Sequence, residues 1–487
     1  MTRHTLAALG GVACLMTAAA AGGPPIATWE DLWRPAAGGW ALADLTVVGP
    51  AGETYVTTRP QAGGGNGSGL LKYTADGTLE WAVVREEVTD GSEGFTDLEL
   101  TPEGVSVVGI TVDRDGNTQT LLLNYAADGT LQWEARSIGP AIPGFLVPQL
   151  AIGPAGERVV ATDDGAGAGV LERYDAAGAL LDARALVFEG FGGVSALEID
   201  SAGNAVLAVL NNFTTYAIEK YDAEGTLLWS HEESGDGLAL SEAFMAIDAS
   251  DDIVATGSVE VGAGKALQVK SRVWKLSSAG ALLWTYDSEM SFAISRDLAM
   301  DDDGAVSITR ALAFPSSDLV RIDAAGAESW RRTFSEAGFV TSFRGVAINA
   351  FGDVIVSALD AQGLDFFGVR VLRYDSAGGL EWTGRIAEDP GHEFFVGDLQ
   401  TGPDGRAALA ITKRPDTGLD QALTVHLRFA ACTGDLDGTE DVAFTDLLIL
   451  LAAWGPQAAH PADFDGDGVV GFLDLLTLIA GWGACAG

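Results

Sequence analysis

Four aspartates near the C-terminus, Asp463, Asp465, Asp467 and Asp474, stand at positions one, three, five and twelve of a single stretch, with Gly468 at position six. That spacing suits a hard divalent cation, Ca2+ above all, which takes carboxylate and carbonyl oxygens and needs glycine at position six for the sharp turn. The Val469 carbonyl falls at position seven, and Gly471 at position nine leaves that ligand to water. A second set lies 28 residues upstream: Asp435, Asp437, Thr439, the Asp441 carbonyl and Asp446. Glu440 replaces its turn glycine, so this loop is expected to bind Ca2+ more weakly.

Each set needs an adjoining element to hold it. Residues 443–455 align with 471–483, and eight of the thirteen positions are identical. In both copies apolar residues, over 447–453 and 475–480, predict one short helix that ends near Gly455 or Gly483. A loop of EF-hand type followed by one helix, duplicated across residues 432–487, resembles a type I dockerin. The resemblance implies Ca2+ at both loops and docking, through a helix face, onto a cohesin-like module or a cell-surface receptor. Its recognition positions are here Phe444 and Thr445, then Phe472 and Leu473, where cellulosomal members prefer Ser and Thr. Cys432 and Cys485 bracket the module. A disulfide clasping its ends is one reading, and a free Cys485 used for covalent anchoring is the other.

Residues 28–430 are repetitive. The stretch from Tyr221-Asp222 through Gly225 to Trp229 recurs from Tyr73, Tyr125, Tyr174, Leu276, Ile322 and Tyr374. Its tryptophan column is Trp81, Trp133, Trp229, Trp284, Trp330 and Trp382, with Asp182 in the third copy. Another turn residue recurs as Gly52, Gly104, Gly156, Gly203, Asp251, Gly304, Gly352 and Gly405, at spacings of 47 to 53 residues. Four short apolar runs per unit read as strands, and a repeat of about 50 residues belongs to propeller blades. The expected fold is mainly β: an eight-bladed β-propeller, or alternatively a seven-bladed one, followed by a small all-α calcium-binding dockerin-like domain.

The strand Thr28 to Trp33 has no blade of its own, and the last copy, which ends at Phe429, has no tryptophan strand. Joined, they close the ring without an open edge. A tryptophan placed alike in six blades is expected to pack neighbouring sheets rather than to stack on sugars. Ligands are better sought in the irregular loops 63–69, 113–117 and 301–304. Asp113, Asp115 and Asn117 have the alternate spacing of a small calcium loop, although Asn124, at its twelfth position, lies inside a strand.

The Tyr-Asp-x-x-Gly-x-Leu-x-Trp pattern resembles secreted bacterial β-propeller (SBBP) repeats and, more faintly, quinoprotein-type propellers. The resemblance implies the fold; propellers host enzymes, binders and assembly platforms alike. The turn is one residue shorter than the docking pattern of quinone enzymes.

With 68 acidic against 28 basic residues and a net charge of -40, nucleic acid is a poor partner. Residues 1–21, basic and then Ala-rich and apolar, read as a signal peptide, so a secreted or cell-surface location is expected. No later stretch approaches the ~18 apolar residues of a membrane span. Beyond the leader the histidines are His231, His392, His426 and His460, without metal-ligand spacing. No nucleophile elbow, P-loop or dinucleotide fingerprint occurs, and no catalytic residue is assigned. The expected function is a secreted, non-catalytic platform for a carbohydrate or protein ligand, anchored to an extracellular complex or cell surface by its Ca2+-dependent tail. An extracellular polysaccharide hydrolase or lyase carried by a dockerin is the alternative.

Overall fold

The structure, a computed structural model, describes residues between 25 and 484 apart from short stretches such as 86–91, 138–146, 430–433 and 465–467. The leader 1–21 lies outside the described residues. Alternating apolar runs separated by Gly turns fold into hairpins, and consecutive hairpins stack into eight antiparallel blades. Blades one to seven use consecutive strands. The second, for example, takes Ser92–Thr101, Gly104–Val112, Thr118–Ala126 and Leu131–Arg136. In the first blade a two-residue strand, Gly65–Asn66, pairs parallel with Ser92 and links the first two sheets.

The eighth blade is composite. His392–Thr401, Arg406–Pro415 and Gln421–Arg428 supply three strands, and the N-terminal strand Ala27–Trp33 supplies the fourth. Its register runs from Ala27 opposite Arg428 to Trp33 opposite Ala422. The ring therefore has eight blades, closed as the unmatched terminal strands require. One apolar cluster lies between each pair of neighbouring blades, so the core is divided into eight wedges.

The tryptophan column joins blade to blade. Trp81, Trp133, Trp229, Trp284 and Trp330 each lie on the turn glycine of the next blade: Gly129, Gly178, Gly280, Gly326 and Gly378. Each indole Nε1 also donates to a carbonyl of that turn, such as Trp133 to Ala176 at 2.9 Å and Trp284 to Ala324 at 3.0 Å. Glycine is required there twice over: Gly178 has φ of +84°, and a Cβ would stand 2.5 Å from Trp133. In the third blade, where Asp182 replaces tryptophan, Arg184 covers Gly225 instead and its Nε donates to the Glu224 carbonyl at 2.7 Å. Trp29 of the closing strand continues the column onto Gly77.

The tail has its own apolar cluster, including Leu436, Val442, Leu450, Val470 and Leu478. Its helices are α1, Phe444–Ala452, and α2, Phe472–Ala480. Both begin three residues earlier than the apolar pattern alone indicates. The reason is Asp446 and Asp474, whose carboxylates accept the N–H groups of Ala443 and Gly471, each at 2.7 Å, and so cap the first turns. Among the described residues no helix is long and apolar enough to cross a membrane.

Candidate functional site

The two halves of the tail are related by a local pseudo-two-fold arrangement. Asp441 and Val442, leaving the first loop, pair with Ala484 and Gly483, which lie beyond α2. Val469 and Val470, leaving the second loop, pair with Pro456 and Gly455, which lie beyond α1. Each loop is thus braced by the other half.

In the first loop, carboxylate oxygens of Asp435, Asp437 and Asp446 lie within 4.8 Å of one another, close enough to share one ion. Asp435 and Asp446 are buried there. The Asp446 carboxylate is fixed by backbone donors: Leu436 N at 2.6 Å and Asp437 N at 3.0 Å reach Oδ1. The Thr439 hydroxyl stands 2.6 Å from Asp437 Oδ1 and 2.9 Å from Asp441 Oδ1.

The second loop repeats this scheme. Phe464 N donates to Asp474 Oδ1 at 2.7 Å, and Gly468 N donates to Asp463 Oδ2 at 2.9 Å. Gly468 has φ of +84°, the left-handed conformation expected at position six. Among the described residues Asp463 Oδ1, which is buried, has no hydrogen-bond partner. Such an orphaned oxygen, beside buried Asp474, fits a hard cation as its missing neighbour. Asp465 and Asp467 lie outside the described residues, as do Glu440 of the first loop and both Cys432 and Cys485.

The expected recognition residues stand on the surface: Phe444, Thr445, Phe472 and Leu473 are all exposed. The structure extends them into two matching stripes. Phe444, Leu448, Leu451 and Trp454 on one half correspond, 28 residues on, to Phe472, Leu476, Ile479 and Trp482, and all eight are exposed.

On the propeller, two of the irregular loops prove to be self-satisfied turns. Asp113 Oδ1 accepts the N–H groups of Asp115 and Asn117 at 2.9 and 2.8 Å, and Asp113 Oδ2 accepts the Asn117 amide at 2.7 Å. Asp301 caps its own turn through Ala305 N at 2.9 Å and pairs with Arg321. Of the loop 63–69, residues 63 and 64 lie outside the described residues. His426 is buried with neither ring nitrogen bonded among the described residues, and burial, then the charge of Arg406, pushes its pKa down to about 3.

The ring axis holds a group of acids that no sequence motif marks. Asp97, Asp297 and Asp398 occupy one column of the innermost strands of blades two, six and eight, each beside a β-bulge. Each carboxylate accepts a backbone N–H from its own strand and one from the next blade. For Asp97 these are Leu98 and Leu150, both at 2.8 Å; for Asp297, Leu298 and Val346, both at 2.8 Å. For Asp398 they are Leu399 at 2.8 Å and Thr46 at 3.0 Å.

Glu99 and Glu198 join them. Burial raises Asp97 to about 6 and Asp297 to about 7 against the pull of these amides, and raises Glu198 to about 7 with help from the charge of Asp97. Glu99 is pushed well up by burial and then by Asp97, Glu198 and Asp398, and burial raises Asp398 as well. Carboxylates from four blades of the ring feel one another, so they face a common axis. The legible signal was spacing: Asp97, Asp297 and Asp398 each precede a turn glycine, Gly104, Gly304 or Gly405, by seven residues.

No family model matches this chain, and no curated protein matches it. Solved structures do. Sqt1 from Chaetomium thermophilum shares 13% identity with a TM-score of 0.50, over 83% of this chain and 98% of that one. BP39L lectin from Burkholderia pseudomallei shares 12% identity with a TM-score of 0.47, over 72% of this chain and 99% of that one. The β-propeller domain of the Trilobed protease from Pyrococcus furiosus shares 11% identity with a TM-score of 0.43, over 69% and 94%. At such identities the likeness is one of fold alone, the β-propeller.

Proposed function

We propose that residues 432–487 are a Ca2+-dependent docking module of dockerin type, and that they attach an exported propeller, serving as a binding platform, to an extracellular complex or cell surface. The observation that carries this reading is the tail's duplication: two aspartate loops, braced reciprocally, each leading into a helix with an exposed apolar stripe. When bound, Ca2+ would supply the charge that holds Asp435, Asp437 and Asp446 in one loop and Asp463 and Asp474 in the other; the chain's own amides already orient Asp446 and Asp474. With the loops fixed, both stripes are held at set angles to a cohesin-like or receptor surface. A Cys432–Cys485 disulfide would clasp the module, and Asp441 paired with Ala484 brings its C-terminal end beside the first loop. The test is affinity capture from the native secretome with and without chelator. A partner retained equally in chelator, or by protein lacking residues 432–487, would overturn the reading.

A second reading, a polysaccharide hydrolase or lyase, is favoured by the axial carboxylates. Acids raised to about 6 and about 7, such as Asp97 and Asp297, can hold and release protons near neutral pH as general acids or bases do. Turnover on a polysaccharide panel that vanishes in Asp297→Asn would establish it.

A further inference from the structure

Many guanidinium groups in this acidic chain sit against carboxylates: Arg59 with Asp44, Arg310 with Asp318, Arg370 and Arg385 with Asp360. Arg296 and Arg344 differ. Among the described residues neither side chain makes a hydrogen bond or ion pair, and Arg344 Nε is buried with no partner. They occupy equivalent places on the innermost strands of adjacent blades, Ala293–Met300 and Val340–Ile348, each within a β-bulge. Bulges re-aim side chains, and these two are locked: Val346 N donates to Asp297 Oδ2 at 2.8 Å, and Thr309 Oγ1 donates to the Arg344 carbonyl at 2.8 Å. Four other blades put small residues at the same place, Thr96, Ser195, Ala243 and Gly397. In the first blade that place is held by Asp44, already engaged by Arg59.

From the geometry we propose that Arg296 and Arg344 bind an oxyanion at the propeller axis, either the carboxylate of an acidic saccharide or a free inorganic anion. Arg344 is half-buried and Arg296 exposed, and among the described residues neither makes an ion pair, so an anion suits them as partner. Burial and then the charge of Arg296 lower the Arg344 pKa, as expected of two guanidinium groups within electrostatic reach of each other. Guanidinium pairs suit carboxylate, sulfate and phosphate because two donors on each can engage two oxygens. The strands enter from the face that carries the longer loops, and the axial carboxylates lie one step further in. An anionic group would therefore enter from the loop face and stop at the arginines, since a deeper position meets like charge.

This site deepens the platform reading, which it presupposes only for the propeller. The test uses full-length protein in saturating Ca2+, with two probes at matched ionic strength: a uronate trisaccharide and sodium sulfate, a neutral trisaccharide being the control. Calorimetry is expected to show binding of the uronate, at least about tenfold weaker for Arg296→Ala and for Arg344→Ala, and no binding of the neutral sugar. Sulfate binding without uronate binding would support the pair and assign it to a free anion. Failure of both probes, or affinities unchanged in both variants, would overturn the proposal. Arg344→Gln guards against misfolding: its melting temperature without anions should equal or exceed that of the parent protein, and a fall of several degrees would mark the guanidinium as structural and overturn the site. Chelation should abolish tail docking while sparing anion binding, so the two proposals fail separately.

Discussion

Trp29 stacks on His426, ring centroids 3.9 Å apart and planes 22° apart, directly across the register of the closing strand. The contact joins the first described strand of the ring to the last. Trp29→Ala removes both this stack and the cover over Gly77, and the loss of this half-buried indole should destabilise by less than the ~3–5 kcal/mol of a fully buried one. Thermal melts should show the propeller transition falling; an unchanged midpoint would mean that closure does not depend on this pair.

His426 and the axial acids impose opposite pH dependences. The imidazole, at about 3 folded against 6.5 unfolded, adds stability that is present above pH 6.5 and is lost as pH falls toward 3. Asp297 rises from 3.8 to about 7 and Glu198 from 4.5 to about 7, so their contribution is present below pH 4 and is lost as pH rises through 7. With Asp97 at about 6 on the same side, the acids dominate. Denaturant stability should decline from pH 4.5 to 7.5. Asp297→Asn should flatten that slope, and His426→Phe should steepen it; no change in either variant would refute the assignment.

Glycine substitutions can separate backbone strain from blade joining. Gly280→Ala combines φ of +81° with a Cβ 2.5 Å from Trp229, whereas Gly156→Ala has φ of +78° and open space around it. The second should cost about 1–2 kcal/mol, the left-handed penalty alone, and the first should cost about 1–3 kcal/mol more. Equal effects in chemical denaturation would deny the indole a joining role.

Chelation is expected to unfold the tail and spare the ring, because their apolar clusters are separate. Asp463→Ala should remove Ca2+ from the second loop. Asp474→Ala should do the same and also weaken α2 by about 1 kcal/mol through its lost cap. Calorimetric Ca2+ binding that is unchanged in both would refute the site.

Blade number and closure were legible because they rest on covalent spacing: the Tyr and Trp columns survive any loop insertion, and Trp29 needed a partner strand. Helix starts were not, because Asp446 reads as a loop ligand and as a cap at once. Arg184 was hidden for a similar reason: it replaces tryptophan from two positions beyond Asp182, outside the column. The axial acids were illegible as a group, since Asp97, Glu198, Asp297 and Asp398 meet only when blades far apart in sequence circle one axis. Arg296 and Arg344, 48 residues apart, gave no sign of lacking carboxylate partners until every neighbour was placed.

The composite eighth blade also sets a timetable. Ala27–Trp33 is made first, yet its partner, Gln421–Arg428, emerges only after seven other blades. Through synthesis the growing chain is an open arc with an unpaired edge at each end, exposed to pairing with other chains. The ring can close only when residue 428 is available. The tail emerges immediately behind, so it is completed just after the strand that closes the ring.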